Sequence, residues 1–174
     1  MEFEQLLEAA RNDICPHIAL ILVVARSTGM RHGEILALKF KDIDWDGNRI
    51  SIRNAKAGPR IQPISQHGIQ ALQAAFKVRG PKANWVFPSS TSKSGHITHV
   101  KSQWARVVQA ADLQDKGYTL HTIRHTVITK LAEAGVGAAV IQKISGHKTI
   151  QMVHHYTHVG ESVVDNALEK MSLQ

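Results

Sequence analysis

Residues 46–64 read DGNRISIRNAKAGPRIQPI. This segment carries the only convincing strand pattern in the sequence, whereas most of the other regular patterns are helical. The turn sequence DGN (46–48) leads into RISI (49–52), and AKAGP (55–59) forms a second turn before RIQPI (60–64). This pattern predicts a β-hairpin, extended by a further strand near residues 42–45. We therefore expect a small antiparallel sheet on one edge of the domain.

On both sides of this hairpin, apolar residues recur with helical spacing. The segment 80–99 is rich in Gly, Pro, Ser and Lys and predicts a loop, with a short buried strand at 85–87. One long buried helix is predicted to end at Gly29 and to hold Pro16 in its first turn. The helices are predicted at residues 4–10, 13–28, 31–38, 66–79, 98–111, 121–134, 137–144, 149–158 and 161–171.

The predicted fold class follows from this pattern of elements. It is α+β, a mainly helical domain with a small antiparallel three-stranded sheet on one edge. Since no internal repeat interrupts the pattern, residues 1–174 are expected to form a single domain. Residues 161–174 are expected to form a tail helix at its C-terminal end.

Composition narrows the class of protein. Of the 174 residues, 43% are hydrophobic and 20% charged, which is typical of a folded soluble domain. The apolar stretch IALILVVA (18–25) is far shorter than the roughly 20 residues that span a membrane. The acidic N-terminal segment does not resemble a signal peptide, and the single Cys15 suits a reducing compartment. We expect a cytoplasmic protein that does not enter a membrane.

Charge points to a polyanionic ligand. The formal net charge is +7 and the pI about 9.8, so nucleic acid is the first candidate. No dense Lys/Arg run is present, and any basic surface must therefore be assembled by folding.

Three sequence boxes carry residues suited to phosphodiester chemistry. They are TGMRHGEI (28–35), LHTIRH (120–125) and SGHKTIQMVHHY (145–156). Arginine stays charged and can bind phosphate in bidentate fashion, whereas histidine moves protons near neutrality and tyrosine can act as a nucleophile. The candidate residues, in chain order, are Arg31, His121, Arg124, His147 and Tyr156.

Each candidate has an ordinary structural explanation when it is taken alone. A helical arginine such as Arg124 commonly forms a surface salt bridge, and a lone tyrosine such as Tyr156 commonly packs its ring in the core. His121 could simply lie at the start of a helix. Two spacings favour the functional reading: His121 and Arg124 lie three residues apart on one helix face, and His147 precedes a predicted helix N-terminus that could bind phosphate.

Taken together, residues 27–158 resemble the catalytic domain of the tyrosine recombinase (phage integrase) family. The order of the three boxes is more specific than any single motif. The resemblance implies site-specific recombination: DNA strands are cut and rejoined through a 3′-phosphotyrosyl link, without metal, ATP or other cofactor. The expected ligand is double-stranded DNA.

The resemblance also implies roles for individual residues. Arg31 and Arg124 would bind the scissile phosphate, His121 would act as general acid/base and His147 would donate a hydrogen bond to the phosphate. Lys56, at the hairpin tip, would protonate the departing 5′ oxygen, and Tyr156 would be the nucleophile.

Further positions support or modify this assignment. Glu34 is expected to orient Arg31, and Arg60 is the alternative to Lys56 because the sequence leaves the register of the hairpin open. Arg60 and Lys148 are also expected to contact DNA. Ser145 stands where the family usually has leucine, and Val153 where threonine is common.

The resemblance further implies an assembly. We expect a tetramer on DNA and a monomer when isolated, with the C-terminal tail docking on its own domain or on a neighbour. Only about thirty residues precede Arg31, so the chain is expected to be a catalytic domain without the N-terminal DNA-binding domains. DNA binding should then be weak and strongly salt-dependent.

Three other functions remain open from the sequence. His154, His155 and His158 could bind structural zinc, although their spacing lacks a familiar ligand pattern. A DNA-binding module without catalysis would have no use for Tyr156. A type IB topoisomerase-like enzyme would use the same residues to relax DNA.

Overall fold

A computed structural model describes residues 2–53 and 58–156, which fold around the buried helix α2 (Ile18–Thr28). Residues 18–25 of this helix are all apolar, which is the pattern of a helix enclosed by other elements. Four helices surround α2: α1 (Phe3–Arg11), α3 (His32–Leu36), α4 (Gln66–Arg79) and α6 (Leu120–Glu133). The core residues of α2 therefore fix where α3 and α6 lie relative to each other.

The start of α2 differs from the prediction. The helix begins at Ile18 and not at residue 13, so Pro16 lies outside its first turn. The Asp13 carboxylate accepts a hydrogen bond of 2.8 Å from the backbone N–H of Cys15, and two of 2.8 Å from Arg106. The bond to Cys15 closes a turn ahead of the helix, and the bonds from Arg106 hold the Asp13 side chain in place. Gly29 ends α2 as predicted, in the left-handed conformation with φ 65°.

The sheet confirms the predicted hairpin. Strands β1 (Ile43–Asp44), β2 (Arg49–Ile52) and β3 (Arg60–Pro63) form an antiparallel sheet in the order β1-β2-β3. Ile52 lies opposite Arg60 across the hairpin. β1 is shorter than predicted because residues 40–42 form a single 3-10 turn before it. The hairpin tip, with Lys56, lies outside the described residues.

Three further helices are α5 (Lys101–Ala110), α7 (Ala138–Ser145) and α8 (Gln151–His154). The strand predicted at 85–87 is wrong: Trp85 forms one isolated bridge to Lys39, and the N–H of Val86 donates to the carbonyl of Leu38 at 2.9 Å. This segment is buried for its packing and not for sheet pairing. The helix predicted at 149–158 is shorter in the structure, because α8 covers only Gln151–His154 and residues 155–156 form a turn. The tail helix predicted at 161–171 lies outside the described residues.

A small second core joins α6, α7 and α8. It consists of Ile128, Ile141 and Val153, with the ring of Tyr156 packed against it. Val153 is fully buried, which gives a packing reason for its apolar side chain. The α+β fold predicted from the sequence is confirmed, and no helix in the described part of the chain is long and apolar enough to cross a membrane.

Candidate active site

Arg124 reaches the site from the second turn of α6. The helix begins after Thr119, whose hydroxyl accepts a hydrogen bond of 3.2 Å from the N–H of Thr122. This start turns Arg124 toward α2, where the residue is only 3% exposed. Its Nη1 donates to the carbonyl of Gly29 at 2.7 Å. Arg124 is therefore held by the end of the central helix, and the surface salt bridge considered above is excluded.

Arg31 immediately precedes α3 and is held by that helix. Its backbone N–H donates to Glu34 Oε2 at 3.1 Å, and its Nη1 lies 3.4 Å from Glu34 Oε1. Its Nη2 donates to the carbonyl of Gly146 at 2.8 Å. Gly146 ends α7 with φ 66°, just as Gly29 ends α2. Both arginines are thus fixed by the carbonyl of a left-handed glycine at a helix end.

Glu34 forms ion pairs with two arginines, Arg31 and Arg60. Besides Arg31, it accepts bonds of 2.9 and 2.8 Å from Nη1 and Nη2 of Arg60, and these two side chains are 9% and 12% exposed. Burial alone would raise the pKa of Glu34, but the hydrogen bonds and charge of Arg60 outweigh it and lower the pKa. Gln62 completes the group, since its Oε1 accepts from Arg60 Nε at 3.3 Å and its Nε2 donates to the carbonyl of Thr28 at 3.0 Å.

His147 lies between the arginines and the end of α7. Its Nε2 is 3.1 Å from Nη2 of Arg124, and its Nδ1 is 2.8 Å from Oγ of Ser145. Burial, reinforced by the charges of Arg124 and Arg31, lowers the pKa of His147 to about 4. Burial also lowers the pKa of Arg124 to about 10. At neutral pH the imidazole is therefore neutral and the guanidinium charged.

Tyr156 brings a phenol to this group. Its ring stacks on that of His147 with centroids 6.3 Å apart, and its hydroxyl forms a hydrogen bond with Nδ1 of His125. Burial raises the pKa of Tyr156, although the charge of Arg124 works in the opposite direction. The phenol is therefore protonated at neutral pH and needs a base before it can attack.

His121 lies on the exposed side of the site. Its ring contacts that of His125 edge to face, with centroids 4.5 Å apart. Burial, followed by the charge of His125, lowers the pKa of His121, and burial followed by Arg124 does the same for His125. Both imidazoles are consequently neutral at pH 7.

The structure brings together most of the residues predicted from the sequence. Arg31, Glu34, Arg124, His147 and Tyr156 lie in one connected group, which His121 joins through His125. Arg60 belongs to the group through Glu34, and Lys148 is exposed next to His147. Contact of Arg60 and Lys148 with DNA stays a prediction, as does the role of Lys56.

The sequence assigned no role to three residues that the structure places in the site. His125 was detectable, since it follows Arg124 directly and lies four residues from His121 on the same helix face. Ser145 had a weaker signal, as a hydroxyl two residues before His147. Nothing in the sequence singled out Gln62.

The residues that the structure describes form no zinc site. No group of three His, Cys, Asp or Glu residues lies close enough there to hold a metal ion. His154 and His155 are exposed, and His158 lies outside the described residues.

The arrangement can bind a phosphodiester next to a nucleophile. An arginine carries five N–H donors, and Arg31 gives two of them to Glu34 and Gly146 among the described contacts. The donors that remain can bind phosphate oxygens, and the ring of Tyr156 lies beside this group, stacked on His147.

Comparison with known proteins agrees with this geometry. The sequence profile of the phage integrase family matches residues 1–162. The tyrosine recombinase XerA of Pyrococcus horikoshii is 26% identical over 155 residues, which cover 88% of this chain and 54% of that protein. The chain thus spans about half the length of the curated relatives it matches.

Solved structures show the same fold. The Tn1549 transposon integrase in complex with transposon right-end DNA has a TM-score of 0.78 and 25% identity, covering 97% of this chain and 63% of that chain. The catalytic domain of bacteriophage HP1 integrase has a TM-score of 0.73 over 96% of this chain and 89% of that chain. At 24% identity, this second likeness concerns the fold alone.

Proposed function

The chain belongs to the phage integrase family, and we propose that its clustered residues form the catalytic site of a site-specific DNA recombinase. The observation that carries this proposal is the position of Tyr156, whose ring stacks on His147 while His147 contacts Arg124. A nucleophile thereby lies beside a buried permanent cation. This is the pairing that attack on a phosphodiester requires.

The proposed reaction starts with a DNA phosphate bound by Arg31 and Arg124. Oη of Tyr156 attacks phosphorus, the bond to the 5′ oxygen breaks, and a 3′-phosphotyrosyl link forms. The phenol proton leaves toward the imidazole pair that His125 and His121 form, since Nδ1 of His125 already binds the hydroxyl. Lys56 delivers a proton to the departing 5′ oxygen.

Rejoining is the same reaction in reverse. A 5′ hydroxyl from another strand attacks the phosphotyrosine, and Tyr156 leaves with the proton returned to it. One phosphodiester bond is exchanged for another, so the cycle needs no ATP. The two arginines stabilise the charge that develops on the non-bridging oxygens in both directions.

Double-stranded DNA is the proposed substrate. The net charge of +7 favours a polyanion, and a groove beside Arg31 is lined by further basic residues. These lining residues are His32, Lys39, Lys41, Arg53 and His96. The integrase of Tn1549, which shares the fold, has been seen bound to its transposon end.

Four copies of the protein are proposed to act together on DNA. Recombination between two duplexes breaks four strands, and each site holds one nucleophile, Tyr156, so four sites complete the exchange. The tail beyond residue 161 is proposed to dock on its own domain or on a neighbouring copy.

The experiment that tests this function is cleavage of a nicked suicide substrate. On such DNA, cleavage releases a short fragment and traps the covalent adduct, which migrates slowly on a denaturing gel. We expect the wild-type protein to form the adduct and Tyr156→Phe to form none while it keeps its affinity for DNA. Adduct formation separates a recombinase from a module that only binds.

The chain offers a matched control because its other tyrosine lies elsewhere. Tyr118 binds Glu2 through its hydroxyl and packs against the main core, whereas Tyr156 packs against the second core. Tyr118→Phe should form the adduct at the wild-type rate. An adduct with Tyr156→Phe, or loss of the adduct with Tyr118→Phe alone, would contradict the proposal. Topoisomerase-like activity would instead appear as relaxation of supercoiled DNA without strand exchange between two sites.

A further inference from the structure

Ser145 is a buried polar residue whose neighbours on α7 are largely apolar. It is the last residue of the helix and is fully buried. Burying a hydroxyl is unfavourable unless it finds hydrogen-bond partners. Oγ of Ser145 has two, since it lies 2.8 Å from Nδ1 of His147 and 3.4 Å from the carbonyl of Gln142.

The direction of these bonds follows from the donors available. A guanidinium has donors only, so Arg124 Nη2 donates to Nε2 of His147 and that nitrogen carries no proton. A neutral imidazole then has its proton on Nδ1, from where it donates to Oγ of Ser145. The Ser145 hydroxyl is left to donate to the carbonyl of Gln142. Every donor in this chain of bonds has an acceptor.

We propose that Ser145 is a positioning residue that fixes the tautomer and ring orientation of His147. This inference rests on the proposed recombinase function. With Nδ1–H held by Ser145, Nε2 points to Arg124 and to the place proposed for the scissile phosphate. If the imidazole takes up a second proton, on Nε2, the new N–H can donate to a phosphate oxygen. Nδ1–H then still donates to the Ser145 hydroxyl.

An apolar side chain at position 145 cannot play this part. Nδ1–H would lack its acceptor, and the ring would favour the tautomer that carries its proton on Nε2. That proton would face the N–H group of Arg124, which has no acceptor to offer. The ring would rotate away from Arg124, and Tyr156, which stacks on His147, would lose its packing surface.

The neighbouring backbone supports the same arrangement. Gln142 Nε2 donates to the carbonyl of His147 at 3.3 Å. Gly146, which lies between Ser145 and His147, takes the left-handed conformation. A Cβ at Gly146 would lie 2.7 Å from Cζ of Arg60, so the turn must pass close to that guanidinium. The turn at Gly146 thereby brings the Ser145 hydroxyl within hydrogen-bond distance of the His147 ring.

Nitrogen-15 NMR of the histidine side chains tests the inference without DNA. In the wild-type protein at pH 7, we expect His147 as the neutral form protonated on Nδ1, with its signals assigned by their loss in His147→Asn. Ser145→Ala should shift the signals toward the Nε2-protonated form, whereas Ser145→Thr, which keeps the hydroxyl, should restore the wild-type pattern. A wild-type spectrum with the proton on Nε2 would overturn the inference.

A kinetic readout separates positioning from folding. Ser145→Ala should slow single-turnover cleavage about tenfold, the effect of one buried hydrogen bond. The stability control is Ser65→Ala, which removes the N-cap hydroxyl of α4, a group that bonds the backbone N–H of Gly68 and not His147. It should lower the melting temperature without changing the tautomer or the cleavage rate. Wild-type tautomer and rate in Ser145→Ala would also overturn the inference.

The two proposals fail in different ways. If the protein makes no adduct but His147 shows the expected tautomer and its response to Ser145→Ala, the recombinase function is wrong and the positioning of His147 by Ser145 stands. If the adduct forms while the tautomer does not respond, Ser145 has no positioning role.

Discussion

At the scale of single residues, the site depends on arginines fixed by backbone carbonyls. Arg124 donates to Gly29 and contacts His147, so two of its nitrogens have set positions before any ligand binds. A planar guanidinium can hold both positions and still present donors to phosphate, whereas an ammonium is a single point of charge. Shape is therefore as important as charge at this position.

We predict that Arg124→Lys preserves folding and loses catalysis. Lysine keeps the charge but cannot reach Gly29, His147 and phosphate together, so single-turnover cleavage should fall by about 10² or more. The matched control is Arg106→Lys, which alters another two-bond arginine contact, to Asp13, outside the site. Similar cleavage by the two variants would contradict this role of Arg124.

The sequence predicted these residues unequally. Arg31, Arg124 and Tyr156 were accessible because permanent charge and a nucleophile have few substitutes in the proposed chemistry. Arg60 was predicted to contact DNA, but its burial against Glu34 depends on the pairing of β3, which no local pattern encodes. His125 was missed, and Ser145 was noted only as a departure from the family pattern, because their importance comes from contacts with Tyr156 and His147 and not from spacing alone.

At the scale of elements, the ends of helices do most of the positioning. Gly29 ends α2 and Gly146 ends α7, and each turns its carbonyl toward an arginine from another part of the chain. The Glu34–Arg60 ion pair then ties α3 to β3. The sequence predicted Gly29 as a helix end but did not single out Gly146, and it could not show which side chains the two carbonyls would bind.

We predict that the Glu34–Arg60 ion pair makes the free energy of unfolding depend on pH. Glu34 has a pKa below its ordinary value in the folded protein, so its contribution is present at neutral pH and is lost as the pH falls through the folded pKa. Glu34→Gln leaves Arg60 buried without its counterion and should lower the free energy of unfolding by about 3 kcal/mol at pH 7. The difference from wild type should shrink in acid.

Urea unfolding at several pH values measures this effect. The control is Glu8→Gln, because Glu8 pairs with Arg11 on the surface, with side chains 65% and 58% exposed. Such a pair contributes roughly 0–1 kcal/mol. Equal losses from both variants, or a Glu34→Gln difference that stays constant in acid, would show that the Glu34–Arg60 pair does not stabilise the fold.

At the scale of the whole molecule, a helical body holds the site and the hairpin borders it. The main core fixes α2, α3 and α6, and the small second core fixes α8 and the Tyr156 ring. The sequence predicted the helical body and the hairpin from their different apolar patterns, but it did not predict the division into two cores. It missed the start of α2 and the pairing of residues 85–87, where tertiary contacts decide the local conformation.

The central claim is that Tyr156 becomes covalently joined to DNA, and peptide mapping of the trapped adduct tests it most directly. The wild-type protein is reacted with a suicide substrate, digested with protease and nuclease, and analysed by mass spectrometry. We predict a nucleotide joined through its 3′ phosphate to Oη of Tyr156. An adduct on any other residue, or cleaved DNA with a free phosphate and unmodified protein, would contradict the claim.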